Sequence, residues 1–145
     1  MATFDTNPAA GPLTGSEVIP CIQGGLHVRT TPGALAAFAQ APAAIRTATA
    51  SDVAVIGDAD NVVVLNVATA NTFTIPPNSS VAFPVGTTLE IWQGGAGQTT
   101  ITAGSGVTIL THASNTLKLK GQDSGASLRQ VAANTWRLVG DLEPV

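Results

Sequence analysis

The sequence predicts an all-β protein: a jelly-roll-like antiparallel β-sandwich of about eight strands, preceded by an extended N-terminal arm, a β-hairpin and one short helix. Three observations predict it. Residues 61–117 are rich in Thr and Val, carry Glu90 as their one formal charge, and are interrupted by Gly, Pro or Asn every few residues. Apolar residues in that stretch and just beyond it recur with a period of two: Phe73 with Ile75, Leu89 with Ile91, Val107 with Ile109, Leu117 with Leu119. That period places each pair on one face of a strand. Nothing in residues 61–117 has the 3.6-residue apolar spacing of a helix.

The elements follow in chain order. Residues 1–15 are rich in Pro, Gly, Ala and Thr, with Phe4 and Leu13 as the large apolar side chains besides Met1, and read as an extended arm. Such an arm can be ordered by pairing with a neighbour's sheet edge. Residues 17–23 and 26–30 flank Gly24 and Gly25, a two-residue hairpin signal. Pro20 lacks a backbone donor, so its strand is expected at an edge or bulged there. Thr31 and Pro32 supply an N-cap and a first helical residue, residues 34–40 a short Ala-rich helix with Leu35 and Phe38 on one face, and Pro42 its end.

This divides the chain into an arm (1–15), a hairpin with a short helix (16–46) and a sandwich body (47–145). Residues 43–51 read as a low-charge connector. The expected strands are 53–56, 62–67, 72–75, 88–93, 99–103, 107–110, 116–120, 127–132 and 135–139. Val62, Val63, Val64 and Leu65 read as a central strand buried on both faces. Asp58, Ala59, Asp60 and Asn61 read as an Asx-rich turn, residues 76–86 as a longer loop carrying Phe83, and Trp136 as a core residue.

Composition narrows the function. The chain has 145 residues, enough for one well-cored domain. It is 44% hydrophobic and only 10% charged, against about 25% charged in an average soluble domain. A surface so short of charge points to cover by partners or by copies of itself. The net charge of −3 gives no general case for nucleic acid. Charge is also uneven: residues 1–60 hold five acids against two bases, and residues 117–145 hold Lys118, Lys120, Arg129 and Arg137 against three acids. The two ends could therefore meet head to tail in an assembly. The one cysteine, Cys21, excludes an intrachain disulfide and reads as a small apolar residue. No apolar run is long enough to span a bilayer, and residues 1–15 lack the basic and apolar regions of a signal peptide. Synthesis and assembly in a cytoplasm are expected.

No chemistry emerges from the motifs. His27 and His112 have no acidic neighbour within several residues, so no nucleophile, base and orienting group converge. One Cys and two distant His make no structural zinc site, and the acids around Asp58 lack the Gly and distal Glu of a calcium loop. The glycines at 94–97 and 104–106 are followed by strands, so they are turns and no phosphate cradle. Glu90 has no carboxylate partner for glycoside hydrolysis. The expectation is a protein that is no enzyme and holds no cofactor or metal.

A resemblance sharpens this. The stretch LTGSEVIPCIQGGLHVRTTPGALAAF (residues 13–38) resembles a hairpin-and-helix module of tailed-bacteriophage virion proteins, with Leu13, Gly15, Glu17, Ile19, Pro20 and Thr31 in the places of its pattern. Residues 74–109 (TIPPNSSVAFPVGTTLEIWQGGAGQTTITAGSGVTI) and 117–142 (LKLKGQDSGASLRQVAANTWRLVGDL) are similar to a β module of phage tail fibres and head-surface proteins. At this length the resemblance implies a jelly-roll head decoration, or cement, protein on the outer capsid surface, clamping major capsid proteins and self-associating as a dimer or trimer. Direct nucleic acid and membrane are not expected partners. Phe4, Asp5, Leu13, Lys118, Lys120 and Arg129 are the candidate contacts. The alternative is a fibre-tip module recognising host glycan, with Trp92 beside Gln93 as a sugar platform; the plainer role for Trp92 is partial burial on the far sheet face or at a subunit contact.

Overall fold

A computed structural model describes residues 19–23, 26–30 and 42–145, and the chain forms two compact units, Met1–Pro42 and Ala43–Val145. In the first unit the expected hairpin is present. Strands β1 (Ile19–Gln23) and β2 (Leu26–Thr30) pair antiparallel, with Gln23 opposite Leu26 and Pro20 opposite Arg29. Both strands of this two-stranded sheet are edges, which is where a residue without a backbone donor is tolerated. Phe4, Asp5 and Leu13, and the helix expected at 34–40, lie outside the described residues.

The second unit is an all-β sandwich of a six-stranded and a five-stranded sheet. In the six-stranded sheet the order is β3 (Ile45–Ala48), β5 (Val62–Leu65), β7 (Thr88–Gln93), β11 (Gly125–Ala132), β12 (Thr135–Gly140), β9 (Thr108–Leu110). The five-stranded order is β13 (Leu142–Pro144), β10 (Asn115–Leu119), β8 (Thr99–Ala103), β6 (Asn71–Ile75), β4 (Asp52–Val53). Inward-facing Val63, Leu65, Leu89, Ile91, Leu128 and Leu138 from one sheet meet Phe73, Ile75, Ile101 and Leu119 from the other. Trp136 is fully buried and packs edge-to-face on Phe83, ring centroids 5.4 Å apart.

Strand direction departs from the expected antiparallel jelly roll. The chain alternates between sheets from β3 to β8, so β3, β5 and β7 run parallel in one sheet and β4, β6 and β8 parallel in the other. Three successive coils therefore stack like turns of a solenoid, and antiparallel strands β10 to β13 close the far end together with β9, which runs parallel to β12. Each parallel neighbour is reached by crossing to the opposite sheet, as a parallel pair requires.

The corners explain why the coils stay in register. Gly94 and Gly95 both donate to the Leu65 carbonyl, Gly97 donates to Val67 O at 2.9 Å, and Asn71 N donates to Gln98 O at 3.0 Å. A Cβ on Gly95 would lie 2.2 Å from Val67 O, and one on Gly97 only 1.9 Å from Thr69 O. These glycines are thus demanded by backbone of one coil pressing on the next. Beneath them is a buried polar ladder. Gln93 Oε1 accepts from Thr99 N at 3.0 Å, Thr99 Oγ1 donates to Asn71 Oδ1 at 2.9 Å, and Asn71 Nδ2 donates to Gly97 O at 3.1 Å. Satisfying these groups inside the corner avoids the cost of orphaned buried donors.

Three expectations change with the topology. Residues 43–51, expected as a connector, contain β3, held because Val62 N donates to Ala44 O and Ala44 N to Asn61 Oδ1. In place of the strand expected at 53–56 the chain forms only the two-residue β4, Asp52–Val53, and then a 3-10 turn, Ile56–Asp58. Val62–Leu65 is buried on one face, since Val63 and Leu65 point inward while Val62 and Val64 are half-buried on the outer face.

Candidate interaction surface

Alternation along β7, β11 and β12 decides what the outer face of the six-stranded sheet presents. Leu89, Ile91 and Gln93 point in, so Thr88, Glu90 and Trp92 point out. By the same period Gly125, Ser127, Arg129 and Val131 emerge from β11, and Thr135, Arg137 and Val139 from β12. With Val62, Val64, Ile45 and Leu110 alongside, the face mixes aliphatic and small polar side chains with three charges, Glu90, Arg129 and Arg137.

Register fixes the neighbours. Trp92 lies opposite Gly125, Glu90 opposite Ser127, Thr88 opposite Arg129, and Arg129 opposite Arg137. Trp92 remains 47% exposed, its ring over Gly125: a Cβ there would come 2.8 Å from Trp92 Cδ1. Two shallow depressions open beside the arginines. One, about 380 Å³, is lined by Glu90, Ser127, Arg129, Arg137 and Val139 among others; the second, about 460 Å³, by Leu110, Thr111, His112, Arg137 and Val139 among others. Arg137 borders both.

The expected basic contacts do not converge. Lys118 and Lys120 project from the β10 side of the five-stranded sheet, where Lys118 Nζ lies 3.5 Å from Glu143 and Lys120 Nζ 3.7 Å from Asp141. Both pairs are exposed and contribute little to stability. Arg129 stands on the other sheet with Arg137 for company, and its Nε reaches Thr88 Oγ1 at 3.4 Å. Among the described residues, no group of three or more His, Cys, Asp and Glu is placed to hold a metal. His112 is exposed, its Nδ1 accepting from Ser114 N at 3.2 Å within a turn.

A second charged constellation was not singled out from the sequence. Arg46 and Asp52 occupy inward positions of the first coil, in the columns of Val63 and Ile91 and of Phe73 and Ile101 respectively. There Arg46 binds Asp52 and, through Nε at 2.7 Å and Nη2 at 2.9 Å, the buried carboxylate of Asp58. Asp58 also accepts from Val55 N at 2.9 Å, fixing the 3-10 turn. Hydrogen bonding to Asp58, opposed by partial burial and helped by Asp52, raises the Arg46 guanidinium further above its ordinary value. Burial pushes the Asp52 carboxyl up, but the Arg46 hydrogen bond and the Val53 amide outweigh it and hold it below its ordinary value. The cluster closes the end of the core where coil stacking stops. Its signal in the sequence was an isolated Arg among Ala and Thr, 12 residues before Asp58.

No known family matches the chain, and neither the curated proteins nor the solved structures contain a match to it.

Proposed function

We propose that the protein is a non-enzymatic docking protein of the bacteriophage head, a decoration protein that binds major capsid protein through the outer face of its six-stranded sheet. The observation that carries this reading is that face: a weakly charged surface of aliphatic and small polar side chains with an exposed Trp92 and three charges, on a chain whose other described charges are largely paired with one another. The aliphatic part of such a face loses water favourably against a partner. The phage assignment is supported by the resemblance of residues 13–38, 74–109 and 117–142 to virion modules. Repetition on a lattice would multiply modest contacts, and self-association as a dimer or trimer would do so again.

Trp92 favours one further reading. A half-exposed indole over a glycine is a stacking platform, the feature a glycan-recognising fibre module would use. Immunogold labelling of purified virions from the genome that encodes the chain separates the two. Label on the head is the expected result; label confined to the tail overturns the decoration reading.

A further inference from the structure

Few charges are available to this chain, and their distribution is informative. Among the described residues Arg46 is matched by Asp52 and Asp58, Lys118 by Glu143, and Lys120 by Asp141. Arg129 and Arg137 have no carboxylate within 4.0 Å among those residues. They are direct cross-strand partners and both are exposed on the same face. Like charges in that relation destabilise a sheet. Both line the depression of about 380 Å³, with Val131 and Val139 beside them. The two guanidinium groups, neither matched by a carboxylate among the described residues, thus border one opening, which Glu90 also lines.

We propose that Arg129 and Arg137 form an oxyanion site that takes a carboxylate carried by a protein partner docked on this sheet face. This rests on the docking reading above. Guanidinium pairs hold carboxylates through short, charge-assisted hydrogen bonds, which strengthen where apolar contact excludes water. Val139, Val131 and Leu110 supply that apolar surround. Glu90, opposite Ser127 and so diagonal to Arg129, lines the same depression and repels a second acid on its side, so the incoming carboxylate sits on the Arg137 side, between the two guanidinium groups. A nucleic acid does not fit: the chain is net negative, and the two lysines of the other sheet are already paired.

The test follows the Arg Nε–Hε NMR signals of the full-length chain as glutarate is added at low salt, with inorganic phosphate as a second arm. Arg129 and Arg137 should shift together and saturate at one common affinity while Arg46 stays still. Arg137→Gln should weaken glutarate binding about tenfold or more and silence the Arg129 response; Arg129→Gln should do the converse, and unchanged Trp136 fluorescence shows that each variant is folded. Shifts that never saturate, that include Arg46 equally, or that survive Arg137→Gln overturn the proposal, as does tighter binding of phosphate than of glutarate. Cosedimentation with capsids separates its failure from that of the docking reading. If the doubly substituted chain decorates as well as the parent, the site is wrong and docking stands. If glutarate binds as expected but the parent chain does not decorate, docking is wrong and the site stands.

Discussion

Asp58→Asn is the most searching perturbation of the fold, because one carboxylate joins the turn, the first coil and the end of the core. Asp58 is 1% exposed and accepts three hydrogen bonds, two from Arg46 and one from Val55 N. Breaking a buried ion pair by removing one partner costs roughly 3–5 kcal/mol. Two features reduce that figure. The Arg46 side chain is 38% exposed and keeps Asp52, so the remaining cation is only partly stranded. An amide also retains an oxygen for Val55 N. The expected loss is about 2–3 kcal/mol, which at roughly 4–8 °C per kcal/mol for a domain near 100 residues lowers Tm by about 10–20 °C. Urea denaturation followed by Trp136 fluorescence measures it. Arg46→Met in both backgrounds completes a double-mutant cycle, with an expected coupling of at least about 1 kcal/mol. A loss under about 0.5 kcal/mol, or a coupling of zero, refutes the idea that this cluster secures the end of the core.

The same cluster sets a pH dependence. The folded Asp52 carboxyl is held below its unfolded value, so the stabilisation it supplies is complete above the unfolded value, near pH 4. It drains away as pH falls through the lower, folded value. Asp52→Asn should therefore be less stable than the parent at pH 7, with the gap closing as pH is lowered from about 4. A gap that widens on acidification contradicts the assignment.

Two further outcomes follow from packing. Gly97→Ala places a methyl group against the Thr69 backbone of the preceding coil, where no side chain can yield, and should cost at least about 3 kcal/mol or abolish soluble expression; a midpoint within 0.2 M urea of the parent, equivalent to less than about 0.6 kcal/mol, would refute the corner stacking. The two tryptophans should behave as opposites: iodide should quench Trp92 and leave Trp136 untouched, while Trp136→Ala costs about 3–5 kcal/mol and Trp92→Ala under about 1 kcal/mol in thermal melts.

What was legible in the sequence was local. The period-two pairs Phe73 with Ile75 and Leu89 with Ile91 are all fully buried, and Gly24 and Gly25 separate two strands in the expected register. Strand direction was not legible. Alternation reports which face of a strand is buried, and the same pattern serves a parallel or an antiparallel neighbour. The usual sequence sign of stacked coils, a fixed repeat, is missing as well. Hydrogen-bonded partners on successive coils lie 17 residues apart at Ala44 and Asn61, 21 at Ser51 and Thr72, and 28 at Thr74 and Thr102. The long loop holding Phe83 falls inside one coil and conceals the periodicity. The glycines at 94–97 were legible as a turn, but their need to lack Cβ comes from Val67 and Thr69, some 28 residues earlier. On the candidate face, exposure of Trp92 and Arg129 could be read from alternation, whereas the meeting of Arg129 with Arg137 depended on the register of β11 and β12.

The placement of charge ties the fold to the surface. Among the described residues the parallel stack has two edge strands at its first coil, β3 and β4, and such edges invite further strands to add. Here the inward positions of those strands carry Arg46 and Asp52 where later coils carry Val63, Ile91, Phe73 and Ile101. An added coil would have to bury an ion pair already satisfied by Asp58, so growth at that end is opposed even though Ile45, Val53 and Ile56 are exposed around it. On the edge strand β13 Glu143 is matched by Lys118, and Asp141 just before it by Lys120. Among the described residues, much of the charge is thus self-paired at or beside sheet edges. Arg129 and Arg137 break that rule, and a sheet that leaves two cations side by side on its outer face, with no carboxylate paired to them among the described residues, is built to have them neutralised from outside.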